Sequence, residues 1–183
     1  MIRKFYYKFV AVGIAVSTIA APQLLLADGN KEPLIKAAFI YNFVKFVEWP
    51  APKAISQQAS IDICVLGENA IASAAEIFKA ASTSKLTLSL VQESSAKKAA
   101  SHCHIVFISQ SEMGHFAEIM GAFKGQPVLT VSDIDNFAES GGMIGFVTND
   151  NKIKVEVNTK AVTSAGLRVD AQLLEIAVKV IDK

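Results

Sequence analysis

Apolar and polar positions follow a helical period over the first part of the chain that carries a regular pattern, residues 33–48. Pro33–Glu48 is mostly apolar, with a narrow polar stripe at Asn42, Lys45 and Glu48. This pattern predicts a helix that is buried on most of its sides, within the fold or partly against another chain. Proline fits the first turn of such a helix, and Trp49-Pro50 predicts its end, since a residue before proline avoids the helical region.

After residue 60, short apolar runs with a strand period alternate with segments of helical period. The alternation of the two periods predicts strands joined by helices. The predicted strands are Ile61–Leu66, Lys85–Val91, His104–Ile108, Pro127–Val131, Met143–Val147 and Lys152–Val157. The predicted helices span residues 69–81, 94–101, 109–123 and 170–181, with a short turn or helix at 136–139.

This order of elements predicts the α/β class, as a three-layer α/β/α sandwich. Its sheet is expected to be mostly parallel, with a C-terminal antiparallel hairpin formed by the strands on either side of residues 148–151. In the common 2-1-3 strand order, the first and third strands are neighbours. Cys64 on the first strand and Cys103 at the start of the third then satisfy the Cα separation of up to ~7 Å that a disulfide requires.

The first 27 residues have the composition of a secretory signal. Arg3, Lys4 and Lys8 precede an apolar run, Phe9–Ala21, and a small residue at Ala27 predicts cleavage after it. The alternative is an uncleaved membrane anchor, for which the run is short against a span of ~20 residues. We therefore predict export to the periplasm, with residues 28–183 as a single domain that has no transmembrane helix.

Removing the predicted signal changes the charge of the protein. Three of the 18 basic residues leave with it, so 15 face 17 acidic residues and the net charge becomes −2. A slightly negative net charge does not favour binding to nucleic acid or to an anionic membrane surface. Cys64 and Cys103 are the two cysteines, and an even number in an exported chain favours a disulfide. Two buried free thiols are the alternative.

Few residues of the chain suggest chemistry. His102 and His104 flank Cys103 and would share a face of an extended segment, but zinc needs three or four convergent donors. We predict no metal site and no cofactor. The sequence has no Gly-x-Ser-x-Gly, no His-Glu-x-x-His and no phosphate loop, so we also predict no catalytic residues. A hydrolase whose site is assembled in space is the alternative.

Polar side chains follow three of the predicted strands. Glu68 and Asn69 follow the first strand, Ser109 the third, and Ser132 with Asp133 the fourth. In open α/β sheets, ligands bind outside the carboxyl ends of the strands, so these residues form a possible ligand rim. A small-ligand-binding protein using the crevice near Asp133 is therefore an alternative function. Helix capping explains the same residues without a ligand.

Four residues of the first predicted helix and its end are candidates for a protein interface. Tyr41 and Trp49 combine an apolar ring with a polar tip, which suits an interface or its rim, while the phenylalanines are expected in the core. Asn42 and Lys45 belong to the polar stripe of the same helix.

Several segments, in this order along the chain, together resemble the YfiR family of periplasmic proteins. Each segment is short, but they span nearly all of residues 28–183. They are Lys36–Pro50, Ile63–Gly67, Cys103–Ile108, Pro127–Asp133, Gly141–Ile144, Val155–Asn158, Ala165–Leu167 and Gln172–Leu174.

The resemblance implies a non-enzymatic regulator. It implies a homodimer that binds the periplasmic sensor region of an inner-membrane signalling protein, a diguanylate cyclase or a sensor kinase. Binding a cyclase would restrain cyclic-di-GMP output and biofilm formation. The family's best-known member also responds to redox state, but this chain has no second cysteine pair near residues 141–152.

Overall fold

The computed structural model of the chain describes residues 31–51, 53–55, 59–68, 71, 75–150 and 152–182. The predicted signal peptide, its cleavage after Ala27 and the rim residue Asn69 lie outside these residues. In chain order the helices are α1 (Glu32–Phe46), α2 (Ala75–Ala81), α3 (Ala96–His102), α4 (Phe116–Phe123), α5 (Thr159–Ser164) and α6 (Ala171–Ile176). The strands are β1 (Val47–Glu48), β2 (Ala59–Leu66), β3 (Leu86–Gln92), β4 (Ile105–Ile108), β5 (Leu129–Ser132), β6 (Ile144–Asn149), β7 (Lys152–Asn158), β8 (Arg168–Val169) and β9 (Lys179–Ile181).

Seven strands form one mixed sheet in the order β3-β2-β4-β5-β6-β7-β9. Neighbours from β3 to β6 pair in parallel, and β6 pairs antiparallel with β7. The predicted α/β class, the 2-1-3 start of the sheet and the hairpin are therefore confirmed. At the hairpin turn Asn149 lies opposite Lys152, and Asp150 adopts a positive φ of 49°.

Alternate residues of the central strands face two separate cores. On β2, Ile61, Ile63 and Val65 belong to a core that contains side chains of α1, α2 and α6. Cys64 and Leu66 point the other way, into a core shared with α3 and α4. The sheet is thus covered on both faces, which explains why its central strand β4 is continuously apolar and why the three-layer prediction holds.

The C-terminal prediction is wrong in one respect. A single helix was expected from Asp170 to Ile181, but α6 ends at Ile176 and residues 179–181 form β9. This strand pairs in parallel with β7, with Val180 opposite Val157. The backbone groups of β7 require partners on that side, and the β-branched Val180 and Ile181 favour a strand over a helix.

The end of the first helix also differs from the prediction. Val47 and Glu48 are extended, because the chain leaves the helix before Trp49-Pro50, and they pair antiparallel with β8 as a separate two-stranded sheet. The predicted helix at 109–123 begins as a 3-10 helix, Gln110–His115, which leads into α4. No helix in the described ranges has the length and hydropathy needed to cross a membrane.

Candidate functional site

The disulfide joins β2 to the start of β4. Cys64 lies within β2, and Cys103 is the C-terminal capping residue of α3, two residues before β4 begins. Their Cα atoms are 6.0 Å apart, and both residues are fully buried. The predicted bridge is confirmed, and it fixes the α3–β4 connection onto the neighbouring strand.

The chain after α1 holds the same connection from the opposite side. The indole Nε1 of Trp49 donates to the carbonyl oxygen of His104 at 3.2 Å, and Lys53 Nζ donates to that of Cys103 at 2.8 Å. Burial lowers the pKa of Lys53. Trp49 is only 6% exposed, so its prediction as an interface residue is wrong: its polar tip is satisfied inside the molecule.

The two histidines that flank Cys103 do not share a face, contrary to the expectation for an extended segment. His102 is the last residue of α3, so the backbone is helical there and extended one residue later. His104 Nδ1 accepts a hydrogen bond from the amide of Asp62 at 3.3 Å, and burial lowers the pKa of His104. His102 instead lies against the disulfide, with Nε2 3.7 Å from Cys64 Sγ and 3.5 Å from Cys103 Sγ.

At the carboxyl ends of the strands, Asp133 is the centre of a charged network. Its Oδ1 accepts a hydrogen bond from the amide of Gln110 at 3.1 Å, and its Oδ2 lies 2.6 Å from Lys36 Nζ. Lys36 Nζ is also 2.6 Å from Glu32 Oε1. Burial lowers the pKa of Lys36, but hydrogen bonds and charges from Asp133 and Glu32 outweigh it, so the pKa is raised above its ordinary value.

The residues of the predicted ligand rim have different roles in the structure. Ser132 is fully buried; its hydroxyl donates to the carbonyl of Ile108 at 2.6 Å and accepts from the amide of Ile134 at 2.9 Å. The Ser109 hydroxyl accepts from the amide of Ser111 at 3.4 Å, as a helix cap does. Ser109 thus caps the 3-10 helix, as the capping alternative predicts, whereas the Ser132 hydroxyl bonds the backbone of β4 and of the turn after β5.

Asp133 is the described rim residue that opens onto a cavity, whose volume is about 360 Å³. Glu68 is exposed at the end of β2, where its amide donates to Ser111 Oγ at 2.9 Å, and it does not line this cavity. The cavity is lined by Glu32, Lys36, Gln110, Asp133, Asp135, Phe146, Val147, Thr148 and Ile153.

Lys36 is the residue of this site that the sequence reasoning missed. It is 5% exposed and occupies the same face of α1 as Ile40, Phe43 and Val44. A lysine at a core position of a helix needs a charged partner, because burying an unpaired charge is costly. The position of Lys36 in the helical period was the signal that could have predicted its burial. Its partner Asp133 lies 97 residues away in the sequence and could not be identified from that period.

The opposite face of α1 exposes apolar side chains. Leu34 and Ile35 are 41% and 42% exposed, and with Ala38, Phe39 and Asn42 they line a shallow hollow. The fold therefore covers only part of the apolar surface of this helix. Tyr41 and Lys45, two of the other interface candidates, contact each other, with Lys45 Nζ 4.2 Å from the centre of the Tyr41 ring.

A family model matches residues 34–178, and that family is described as YfiR/HmsC-like. No curated protein matches the chain.

Two solved structures share the fold. A conserved domain protein from Vibrio cholerae O1 biovar El Tor has a TM-score of 0.54 and 11% identity over 81% of this chain. The ABC domain from Streptococcus pneumoniae, in complex with L-Trp, has a TM-score of 0.52 and 14% identity over 66% of this chain. The chain spans 60% and 55% of these two proteins, respectively.

Proposed function

Because the chain belongs to the YfiR/HmsC-like family, we propose that it is a non-enzymatic periplasmic regulator of an inner-membrane signalling protein. The partner is a diguanylate cyclase, and the regulator binds its periplasmic sensor region and restrains cyclic-di-GMP output. The observation that carries this proposal is the family match over residues 34–178.

The disulfide supports a periplasmic location for the protein. Bonds of this kind persist in oxidising compartments and are rare in the cytosol. The Cys64–Cys103 bond lies in the interior of the fold, between β2 and α3. Export through a signal peptide cleaved after Ala27 is part of the same proposal.

The docking surface of the proposal is the exposed face of α1. Apolar side chains that water surrounds on a folded protein gain free energy when a partner covers them. Leu34 and Ile35 provide such side chains, and Asn42 provides a polar group at the same hollow. α6 packs against α1, and Ile176, Val178 and Val180 are also exposed apolar side chains. A homodimer through part of this surface is included in the proposal.

Cyclic-di-GMP levels in a deletion strain test the regulatory role. Deleting the gene is expected to raise cyclic-di-GMP, and the wild-type gene should restore the lower level. Ile35→Asp places a charge on the docking surface and should fail to restore it. Met113→Asp is the matched control, since Met113 is 52% exposed but lies on the 3-10 helix. Unchanged cyclic-di-GMP after deletion, with no membrane protein captured by crosslinking, would contradict the proposal.

A second candidate function is small-ligand binding, which the cavity beside Asp133 favours. A buried lysine and a carboxylate line this cavity of about 360 Å³, so it suits a small polar molecule that carries charge. Calorimetry with a nucleotide and metabolite library is expected to show saturable binding that Asp133→Asn weakens at least tenfold. Turnover of a ligand that a single substitution abolishes would instead favour a hydrolase.

A further inference from the structure

Three metal-ligating side chains converge at the disulfide. One donor atom each from Cys64, His102 and Cys103 lies within 4.8 Å of the other two. A carboxylate is next to them, since Glu93 Oε1 is 3.4 Å from His102 Nε2. Glu93 follows β3 and is held there by its amide, which donates to the carbonyl of Val65 at 2.9 Å.

The distances from His102 Nε2 to its three neighbours match edges of a tetrahedral zinc site, and the remaining sulfur–sulfur edge of about 3.8 Å requires the Cys64–Cys103 bond to be broken first. Zinc binds sulfur at about 2.3 Å and nitrogen or oxygen at about 2.1 Å. A tetrahedron with those bond lengths separates sulfur from nitrogen by about 3.6 Å and nitrogen from oxygen by about 3.4 Å. The sulfur–nitrogen distances here are 3.5 and 3.7 Å, and the nitrogen–oxygen distance is 3.4 Å.

The ring of His102 is held in the orientation that a metal ligand needs. Its Nδ1 is 3.0 Å from the carbonyl oxygen of Lys98, one turn earlier in α3. A proton on Nδ1 satisfies that carbonyl and leaves the lone pair of Nε2 directed towards the two sulfurs. Metal-bound histidines are commonly fixed in this way by a carbonyl on the second nitrogen.

Two of the four donor side chains are accessible to a metal ion from solvent. Cys64 and Cys103 are fully buried, whereas the His102 side chain is 41% exposed and that of Glu93 is 14% exposed. The site therefore has an apolar floor and one open side. His104, whose ring is engaged by Asp62 and Trp49, is not part of it.

We propose that, once the disulfide is reduced, Cys64, Cys103 and His102 bind one Zn²⁺, with the Glu93 carboxylate or a water molecule in the fourth position. A dithiol supplies two electrons and two protons and itself becomes a disulfide, or a phosphine supplies two electrons and becomes a phosphine oxide while water supplies its oxygen and the two protons. In both cases the Cys64–Cys103 bond breaks and two thiols form. Zn²⁺ then displaces the two thiol protons and forms two zinc–thiolate bonds. The link between β2 and the start of β4 is thus covalent when oxidised and metal-mediated when reduced.

This site changes the expectation of no metal that the sequence suggested. The histidines at 102 and 104 were weighed together, whereas the fold adds Cys64, from 38 residues earlier in the chain, to His102. Soft thiolate donors with one imidazole suit zinc among the common divalent ions.

Zinc titration of the purified protein tests the proposal. The protein is reduced with a phosphine, its fold is verified by near-ultraviolet circular dichroism, and Zn²⁺ is titrated against a chromophoric chelator. One zinc per chain is expected for the reduced protein and none for the oxidised protein. Cobalt in place of zinc should give a thiolate charge-transfer band with tetrahedral ligand-field absorption.

Variants separate this site from adventitious binding. His102→Gln should weaken zinc binding of the reduced protein at least tenfold, whereas His115→Gln, at an exposed histidine on the 3-10 helix, should leave it unchanged. If the reduced protein loses its fold without metal, zinc added before the reductant should preserve the circular dichroism spectrum. Equal binding by wild type and His102→Gln, no tighter binding than by the urea-unfolded chain, or no protection by zinc would overturn the proposal.

Discussion

Lys36 is a buried charged residue that the helical pattern of the sequence did not reveal. The helix around it was predicted from apolar positions, and the polar stripe was assigned to Asn42, Lys45 and Glu48. The structure puts Lys36 on the buried face with Asp133 at 2.6 Å. Asp133 was predicted as a rim residue from its place after a strand, but its partner depends on how α1 packs over the sheet, which a local pattern does not specify.

Replacing Lys36 tests the energetic role of this pair. Lys36→Met should lower the free energy of unfolding by about 1–3 kcal/mol, because Asp133 loses its cationic partner in a poorly hydrated place. Lys79→Met, at an exposed lysine of α2, is the matched control and should change stability by less than about 0.5 kcal/mol. Urea denaturation at neutral pH measures both, and equal effects would contradict the assignment.

The Lys36–Asp133 pair predicts that the free energy of unfolding depends on pH in the alkaline range. The pKa of Lys36 in the folded protein is raised above its ordinary 10.5, so its contribution to stability is fully present below about pH 10.5. That contribution is lost as the pH rises through the folded-state pKa. The difference in unfolding free energy between wild type and Lys36→Met should therefore narrow above pH 10.5, and a difference that widens there would be inconsistent with a charged Lys36.

The disulfide makes a larger contribution at the residue scale. Its two cysteines are 39 residues apart, for which the chain-entropy model gives about 4 kcal/mol. Cys64→Ser should lower the melting temperature of the oxidised protein by roughly 8–16 °C. The double variant with Cys103→Ser should be no less stable than the single variant, since both lose the same bond. A shift of only a degree or two would contradict this role.

At the scale of elements, the sequence predicted most strands and helices but not those that depend on distant partners. β4 was recognisable because both of its faces are buried, which makes it continuously apolar, and β3 because its leucines alternate with polar residues. β9 and β1 were missed because each is two or three residues long and is defined by its pairing with β7 or β8. The apolar residues of the last segment fit a helical period as well as a strand, and pairing with β7 decides between them.

The connection after β2 leaves no room for a side chain at Gly67. Gly67 has a φ of +83°, and a Cβ added there would lie 2.4 Å from Ser111 Oγ at the 3-10 helix. Gly67→Ala should therefore cost about 1–3 kcal/mol of stability. Gly121→Ala on α4 meets nothing within 4 Å and should instead stabilise by about 0.5–1 kcal/mol. Thermal unfolding of both variants measures these changes in stability. Changes of the same sign in the two variants would argue against this packing around Gly67.

The whole molecule combines a fixed interior with an apolar surface available for a partner. The disulfide and the bonds from Trp49 and Lys53 hold the start of β4 from two sides. On the outside, Leu34 and Ile35 project from α1 into solvent. The sequence indicated a helix with too few polar positions, but only the packing of α1 on the sheet shows which of its faces is left uncovered.

The central claim is that this surface binds the periplasmic region of a membrane signalling protein. The most direct measurement is calorimetric titration of the oxidised protein with the purified periplasmic region of a membrane diguanylate cyclase from the same organism. The account predicts saturable binding that Ile35→Asp weakens at least tenfold and Met113→Asp leaves unchanged. Absence of binding, or equal affinity for wild type and Ile35→Asp, would contradict it.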